Sequence, residues 1–230
     1  MVKNNKKTVA IFDFDGTLVE GHLWGAFLKE NFKTKKRIFL SIWHIFYHMF
    51  FYYLSKFNFY SMEKCLKSWT EDIPGLFKNL EKEASKYFFE KIWNDYLAGT
   101  LKKEVFKRLK WHQKRGDITI LASNAPKDFL LVVKEILNFD FVVGTEVEVK
   151  NGKYTGKTIL PIPWREEKAR KILELLKKEK IEVDFKNSFA YSDSERDIEM
   201  LKLVGNPVVV NPDEKLLKIA KKNKWEILSP

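Results

Sequence analysis

Residues 9–18 read VAIFDFDGTL, and the fold turns on how this stretch is understood. Val9-Ala10-Ile11-Phe12 is a short β-branched and apolar run between lysines and an Asp-Gly pair, the pattern of a buried strand. Asp13 and Asp15 follow two positions apart, and Gly16 lets the chain turn sharply away. Residues 22–98 then carry helical patterns and no good strand, with Pro74-Gly75 and Gly99 as the clearest punctuation.

Past residue 100 the pattern alternates. An amphipathic helix over 101–115 stops at Gly116, and DITILA (117–122) reads as a strand. A helix follows over 126–137, then a strand over 139–149, turned back at Asn151-Gly152 into a return strand at 153–155. Helices are predicted at 165–178, 195–203 and 213–222, and strands at 188–191, 207–210 and 225–228. This alternation, with one strand before residue 20, predicts an α/β fold with a doubly wound, Rossmann-like parallel sheet. Residues 1–18 and 99–230 would form that core, and 19–98 a helical insertion.

The chain has 230 residues, enough for one core with a modest insertion, and 45% of them are hydrophobic, which excludes a disordered tail. A single cysteine, Cys65, excludes an internal disulfide and a cysteine-built zinc site, and fits a reducing, cytoplasmic compartment. Lysines before an apolar run at the N-terminus resemble the start of a secretion signal, but the run ends within a few residues in two aspartates, so none is expected. The net charge of +11 attracts anionic partners without choosing among phosphate esters, acidic lipids and nucleic acid. No nucleic-acid recognition motif is present, and no nucleic-acid partner is expected.

Four signals fall at or near predicted C-terminal strand ends, where open α/β sheets place their ligands: Asp13 to Thr17, Ser123, Lys168, and Asp193 with Asp197. The aspartates would make an all-oxygen pocket suited to Mg²⁺ rather than zinc or copper. A carboxylate beside a metal and a phosphate can become an aspartyl phosphate, while a second protonates the leaving oxygen. Ser123 and Lys168 supply donors for phosphoryl oxygens. A calcium loop is excluded, because Leu18 and Trp24 stand where that motif needs Gly and Glu. Singly, each signal has a plainer reading: a turn for Asp-x-Asp-Gly and for Ser123, a surface charge for Lys168, a helix cap for Asp193 and Asp197.

IFDFDGTL (11–18), ILASNAP (120–126), Lys168 in REEKARK and AYSDSERDIEML (190–201) resemble the four motifs of the haloacid dehalogenase superfamily. The resemblance implies a Mg²⁺-dependent phosphoric monoester hydrolase with Asp13 as nucleophile and Asp15 as general acid and base. It implies phosphoryl binding by Ser123, Asn124, Lys168, Gly16 and Thr17, and a metal site drawn from Asp13, Asp15, Asp193 and Asp197. Asp15 points to the phosphatase and phosphomutase branches, since the dehalogenases and P-type ATPases lack an aspartate there. A helical insertion directly after the first motif is similar to subfamily IB, the phosphoserine-phosphatase-like group, whose cap covers the site and selects the substrate. Two features depart from phosphoserine phosphatases. Asn124-Ala125-Pro126 replaces the two glycines usual after the serine, and the only arginine in 19–98 is Arg37.

DGTLVEGHLWGAFLK (15–29), the Glu167-Lys168 pair and YSDSERD (191–197) resemble the bacterial C-type phosphatidylglycerophosphatases, which implies a lipid phosphate substrate. Residues 38–54, IFLSIWHIFYHMFFYYL, carry only Ser41, His44 and His48 as clearly polar side chains, between KTKKR and Lys56. Such a segment suits an anionic membrane surface at the inner face of the cytoplasmic membrane. A single crossing would put the first motif and the other three on opposite sides, so an interfacial helix or a tight re-entrant pair is favoured. The alternative is a cap helix whose aromatic residues are ordinary core. A soluble small-metabolite phosphatase, acting on phosphoserine or a similar ester, remains the rival function, and a nucleic-acid end phosphatase, which the charge permits but no motif supports, is the third. His22 sits where it could touch substrate, though a structural role is the plainer reading; His44 and His48 lack a third metal ligand nearby. His112 is expected to be exposed, Cys65 buried, and Lys102, Lys103, Lys107, Lys110 and Lys114 to form a solvated helix face.

Overall fold

The computed structural model describes residues 6–229, so the first five residues of the segment read for a secretion signal lie outside the described residues. Six strands form one sheet: β1 (Val9–Phe12), β2 (Ile118–Pro126), β3 (Phe141–Thr145), β6 (Phe189–Ser192), β7 (Asn206–Val210) and β8 (Glu226–Leu228). Their order is β3-β2-β1-β6-β7-β8, and every pairing is parallel. The strand read from VAIF is therefore central, with β2 on one side and β6 on the other. Its side chains alternate between two cores. Ala10 and Phe12 face Leu121, Val142 and Tyr191, together with α5 (Lys103–Arg115) and α6 (Lys127–Leu137). Val9 and Ile11 face α7 (Glu166–Lys178), α8 (Ile198–Leu201) and α9 (Glu214–Asn223) through Ile172, Met200 and Leu216. This is the doubly wound parallel sheet expected from the alternating pattern.

Between β1 and α5 the chain forms α1 (Leu23–Thr34), α2 (Ile38–Lys56), α3 (Met62–Glu71), a 3-10 turn at Ile73–Phe77, and α4 (Ser85–Ile92), which continues as one π turn at Trp93–Leu97. The chain leaves and returns side by side: Glu20 N–H donates to the Thr100 carbonyl at 2.9 Å, and Lys102 N–H to that of Leu18 at 3.0 Å.

Four expectations need correction. The strand expected over 139–149 is split at Glu146: β3 stays in the parallel sheet, while β4 (Val147–Lys150) turns out and pairs antiparallel with β5 (Lys153–Thr158). That hairpin is bonded to the helical insertion, through Asn79 N–H to the Tyr154 carbonyl and Tyr154 N–H to that of Leu80. The helix expected over 195–203 is a 3-10 turn at Glu195–Asp197 followed by one turn of α-helix. His112 is fully buried, its Nδ1 2.7 Å from Asp117 Oδ2 and its Nε2 2.8 Å from the Tyr191 hydroxyl. Lys102 leaves the solvated face assigned to it; it is buried, and its ammonium donates to the Gly16 carbonyl. Cys65 is buried, as expected.

Candidate active site

The site begins where β2, β1 and β6 end side by side. Asp13 follows β1 directly, held by its N–H on the Tyr191 carbonyl at 3.0 Å, and Asp193 follows β6. At Gly16 the backbone has φ 75°, and a Cβ there would lie 2.2 Å from Asp193 Oδ2. Both facts require glycine: the turn is left-handed, and the Asp193 carboxylate occupies the space. The turn aims Thr17 at two carboxylates, its Oγ1 lying 3.2 Å from Asp13 Oδ2 and 3.0 Å from Asp193 Oδ1. A single threonine hydroxyl thus links the Asp13 and Asp193 carboxyl groups.

Lys168, from the first turn of α7, reaches across to the same place. Its Nζ is 2.9 Å from Asp13 Oδ1 and 2.6 Å from Asp197 Oδ1. Asp197 places its other oxygen 2.7 Å from the Ser192 hydroxyl, so both of its oxygens are engaged. Asp15 accepts from Leu23 N–H at 2.8 Å, which ties its carboxylate to the start of α1. Ser123 is buried in the irregular final stretch of β2, where the register on β3 shifts between Ala122 and Pro126. Its Oγ accepts from Ala125 N–H at 3.2 Å, leaving the hydroxyl proton free to donate. Asn124, not Ser123, lines the cavity above the aspartates, and its carbonyl accepts from Thr145 at 2.6 Å.

Burial dominates the electrostatics. It pushes the Asp13 carboxyl up to about 7 against the pull of Lys168, with Asp197 and Asp193 adding to the rise. It pushes Asp15 up to about 8, opposed by the Leu23 N–H, and raises Asp193 as well. For Lys168, burial acts downward, but Asp13 and Asp197 outweigh it and hold the ammonium above the usual lysine range. Burial thus makes the Asp13, Asp15 and Asp193 carboxyl groups of this floor hold their protons more tightly than carboxyls in water do.

Among the described residues no three Asp, Glu, His or Cys side chains converge to hold a metal by themselves. That arrangement still fits Mg²⁺, which is typically bound through one or two carboxylates, waters and substrate phosphate rather than an all-protein cage. Asp13 and Asp193, joined through Thr17, are the carboxylates best placed for it.

The cavity, about 290 Å³, rises from this floor to an apolar wall formed by Trp24, Leu66, Trp69, Ile73 and Trp164. His22 stands at its rim. Three lining residues were given no role from the sequence: Trp164 just before REEKARK, Arg165 at its start, and Arg196 in the 3-10 turn within AYSDSERDIEML. Arg165 adopts φ 54° and reaches Glu63 of α3 at 2.7 Å, while the Arg196 guanidinium lies 5.4 Å from the centre of the Trp164 ring. Their position within four residues of Lys168 or beside Asp197 was the only available signal.

A polar floor at the C-terminal edge of a parallel sheet, with acids around one lysine and an apolar wall above, defines a hydrolase-type site for an anionic group. The chain belongs to the haloacid dehalogenase-like hydrolase family, whose profile matches residues 10–202. It is 28% identical over 150 residues to a histidinol-phosphatase of Neisseria meningitidis, covering 64% of this chain and 68% of that protein. It is 29% identical over 138 residues to a phosphoserine phosphatase of Mycobacterium tuberculosis, covering 60% of this chain and 44% of that relative. Among solved structures, a protein of unknown function from Bordetella pertussis superposes with a TM-score of 0.81 at 20% identity, over 97% of this chain and 98% of that one. A phospho-aspartyl intermediate analogue of phosphoserine phosphatase superposes with a TM-score of 0.62 at 21% identity, over 97% and 93%. These two likenesses are likenesses of fold.

Proposed function

We propose that the chain is a Mg²⁺-dependent phosphomonoesterase working through an aspartyl phosphate on Asp13. The observation that carries this reading is Lys168 held 2.9 Å from Asp13 and 2.6 Å from Asp197 at the base of the cavity. A lysine so placed fixes the Asp13 carboxylate and offers positive charge to the phosphoryl oxygens. Asp13 attacks phosphorus through a carboxylate oxygen while the ester oxygen departs with a proton from Asp15. Asp15 then takes a proton from water, whose oxygen attacks the acyl phosphate and releases inorganic phosphate from Asp13. Burial supports the first proton transfer, because a carboxyl pushed up to about 8 is protonated at neutral pH. Ser123 and Asn124 supply further donors to the phosphoryl group, with Gly16 and Thr17 shaping its cradle. Mg²⁺ when bound neutralises the carboxylates and the phosphate. In this reading residues 19–98 act as a cap of the subfamily IB kind, supplying Trp24, Leu66 and Trp69 to the cavity.

The substrate reading follows from the apolar wall above a phosphate-sized floor and from the resemblance to the C-type phosphatidylglycerophosphatases. It is a lipid phosphate such as phosphatidylglycerophosphate, met at the inner face of the cytoplasmic membrane. The second reading, a soluble small-metabolite phosphatase, draws on the relatives named for histidinol phosphate and phosphoserine. Initial rates on phosphatidylglycerophosphate vesicles, phosphoserine and histidinol phosphate, with Mg²⁺ and with EDTA, separate them. The lipid reading expects the vesicle substrate to be preferred and EDTA to silence turnover. Preference for a soluble ester removes the lipid, and turnover that survives EDTA removes the metal.

A further inference from the structure

Helix α2 is built inside out. Its buried positions are Ser41, His44, His48 and Ser55, spaced so that they form one stripe along the helix. This stripe has polar or aromatic partners beneath it. Ser41 Oγ accepts from Asn31 Nδ2 at 3.0 Å, His48 Nε2 lies 3.4 Å from Asp72, and the His48 ring stacks on Trp69 at 5.2 Å. The opposite face carries Phe39, Trp43, Phe46, Phe50 and Tyr53, again at helical spacing, with Phe57 just past its end. Phe39 is 84% exposed, Trp43 70%, Phe46 71% and Phe50 61%. A helix in contact with water on its outer face should turn its rings inward and its serines and histidines outward. The outward aromatic residues of 38–54 are therefore not cap core, and their rings form a patch far larger than isolated exposed residues make.

We propose that this face docks on the surface of an anionic lipid bilayer, with α2 lying in the plane of the interface. The docking stands apart from the identity of the substrate and would serve a soluble ester equally. Charge selects the occupant. Between Glu30 and Glu63 the chain has no carboxylate, and it carries Lys33, Lys35, Lys36, Arg37 and Lys56. Basic residues at both ends of an aromatic face match an anionic headgroup layer with acyl chains beneath. A second copy of this chain fits less well. Antiparallel pairing of two α2 helices would set Lys35 to Arg37 against Lys56, and parallel pairing would set the basic clusters together, with no acid in the segment to relieve either. A crossing orientation is also disfavoured: among the described residues no helix is long and apolar enough to cross a membrane. The inner stripe of α2 rests on Trp69, which lines the catalytic cavity, so docking would hold that wall next to the bilayer.

The test is co-sedimentation of the full chain with phosphatidylglycerol vesicles and with phosphatidylcholine vesicles, beside hydrolysis of p-nitrophenyl phosphate in solution. The comparison protein carries Trp43→Ser, Phe46→Ser and Phe50→Ser, three outward positions whose replacement leaves the core intact. The wild type should bind the anionic vesicles, more weakly in high salt, and the triple variant should bind them about tenfold less or worse. Hydrolysis of the soluble ester should be unchanged, so loss of docking is read separately from loss of catalysis. Wild-type protein that stays in the supernatant, or a triple variant that binds as well as wild type, overturns the proposal. So does a wild-type dimer in solution that the three substitutions convert to a monomer.

Discussion

At Gly16 two independent demands meet, a left-handed backbone and the Asp193 carboxylate where a methyl group would sit. Gly16→Ala should therefore lower kcat/KM by about tenfold or more by displacing Asp193, with a stability loss of roughly 1–2 kcal/mol measured in urea. The carboxyls around it make a prediction about pH. Asp13 and Asp15 start from 3.8 in the ordinary state and are pushed up to about 7 and about 8 in the fold. A raised folded value means that the native state holds protons the unfolded chain has released. The resulting stability is fully present below about 4 and is lost as pH rises through 7 and 8. Between pH 7.5 and 8.5 the ordinary histidine titration, centred on about 6.5, is largely past, so Tm in EDTA should fall across that interval. Mg²⁺ should raise Tm more at pH 8.5 than at pH 6.5, because only there are the carboxylates free of protons. A Tm that rises with pH in EDTA, or a Mg²⁺ effect equal at both values, contradicts the assignment.

Among the elements, α5 is fastened to the sheet through His112. Burial lowers this imidazole, opposed by Asp117, so it is neutral, donating from Nδ1 to Asp117 and accepting at Nε2 from the Tyr191 hydroxyl. Tyr191→Phe removes that donor and leaves a buried nitrogen unpaired. It should lower stability by about 1–3 kcal/mol in a urea titration while leaving turnover within about twofold of wild type. His112 was illegible in the sequence because one of its two partners, Tyr191, is 79 residues away, and a polar residue on a lysine-rich helix reads as solvated. Lys102 was misread for a related reason: it precedes the helix rather than sharing the face of Lys103, Lys107, Lys110 and Lys114. VAIF and DITILA were legible as strands because a central parallel strand is apolar on both faces. The break at Glu146 was not, since an apolar run does not say which neighbour each half will pair with.

On the scale of the whole molecule, the cavity draws its floor from the ends of β1 and β6 and the start of α7, and its wall from α1, α3 and the loop at Trp164. The floor could be foreseen, because acids after strands of one parallel sheet must fall along one edge. The wall could not, because Trp69 and Trp164 lie outside the quoted motifs, nothing in 15–29 gave Trp24 a role, and the three meet only when the helical layer folds over the sheet. The outward rings of α2 likewise needed the fold, since periodicity alone does not reveal which face of a helix is covered. All of the proposed chemistry rests on a covalent bond to a single side chain. Acid quenching of the protein during turnover with Mg²⁺, then peptide mass spectrometry, tests it most directly. The account predicts a phosphoryl adduct on Asp13 that Asp13→Asn abolishes together with turnover; an adduct on another residue, or steady turnover by Asp13→Asn, would contradict it.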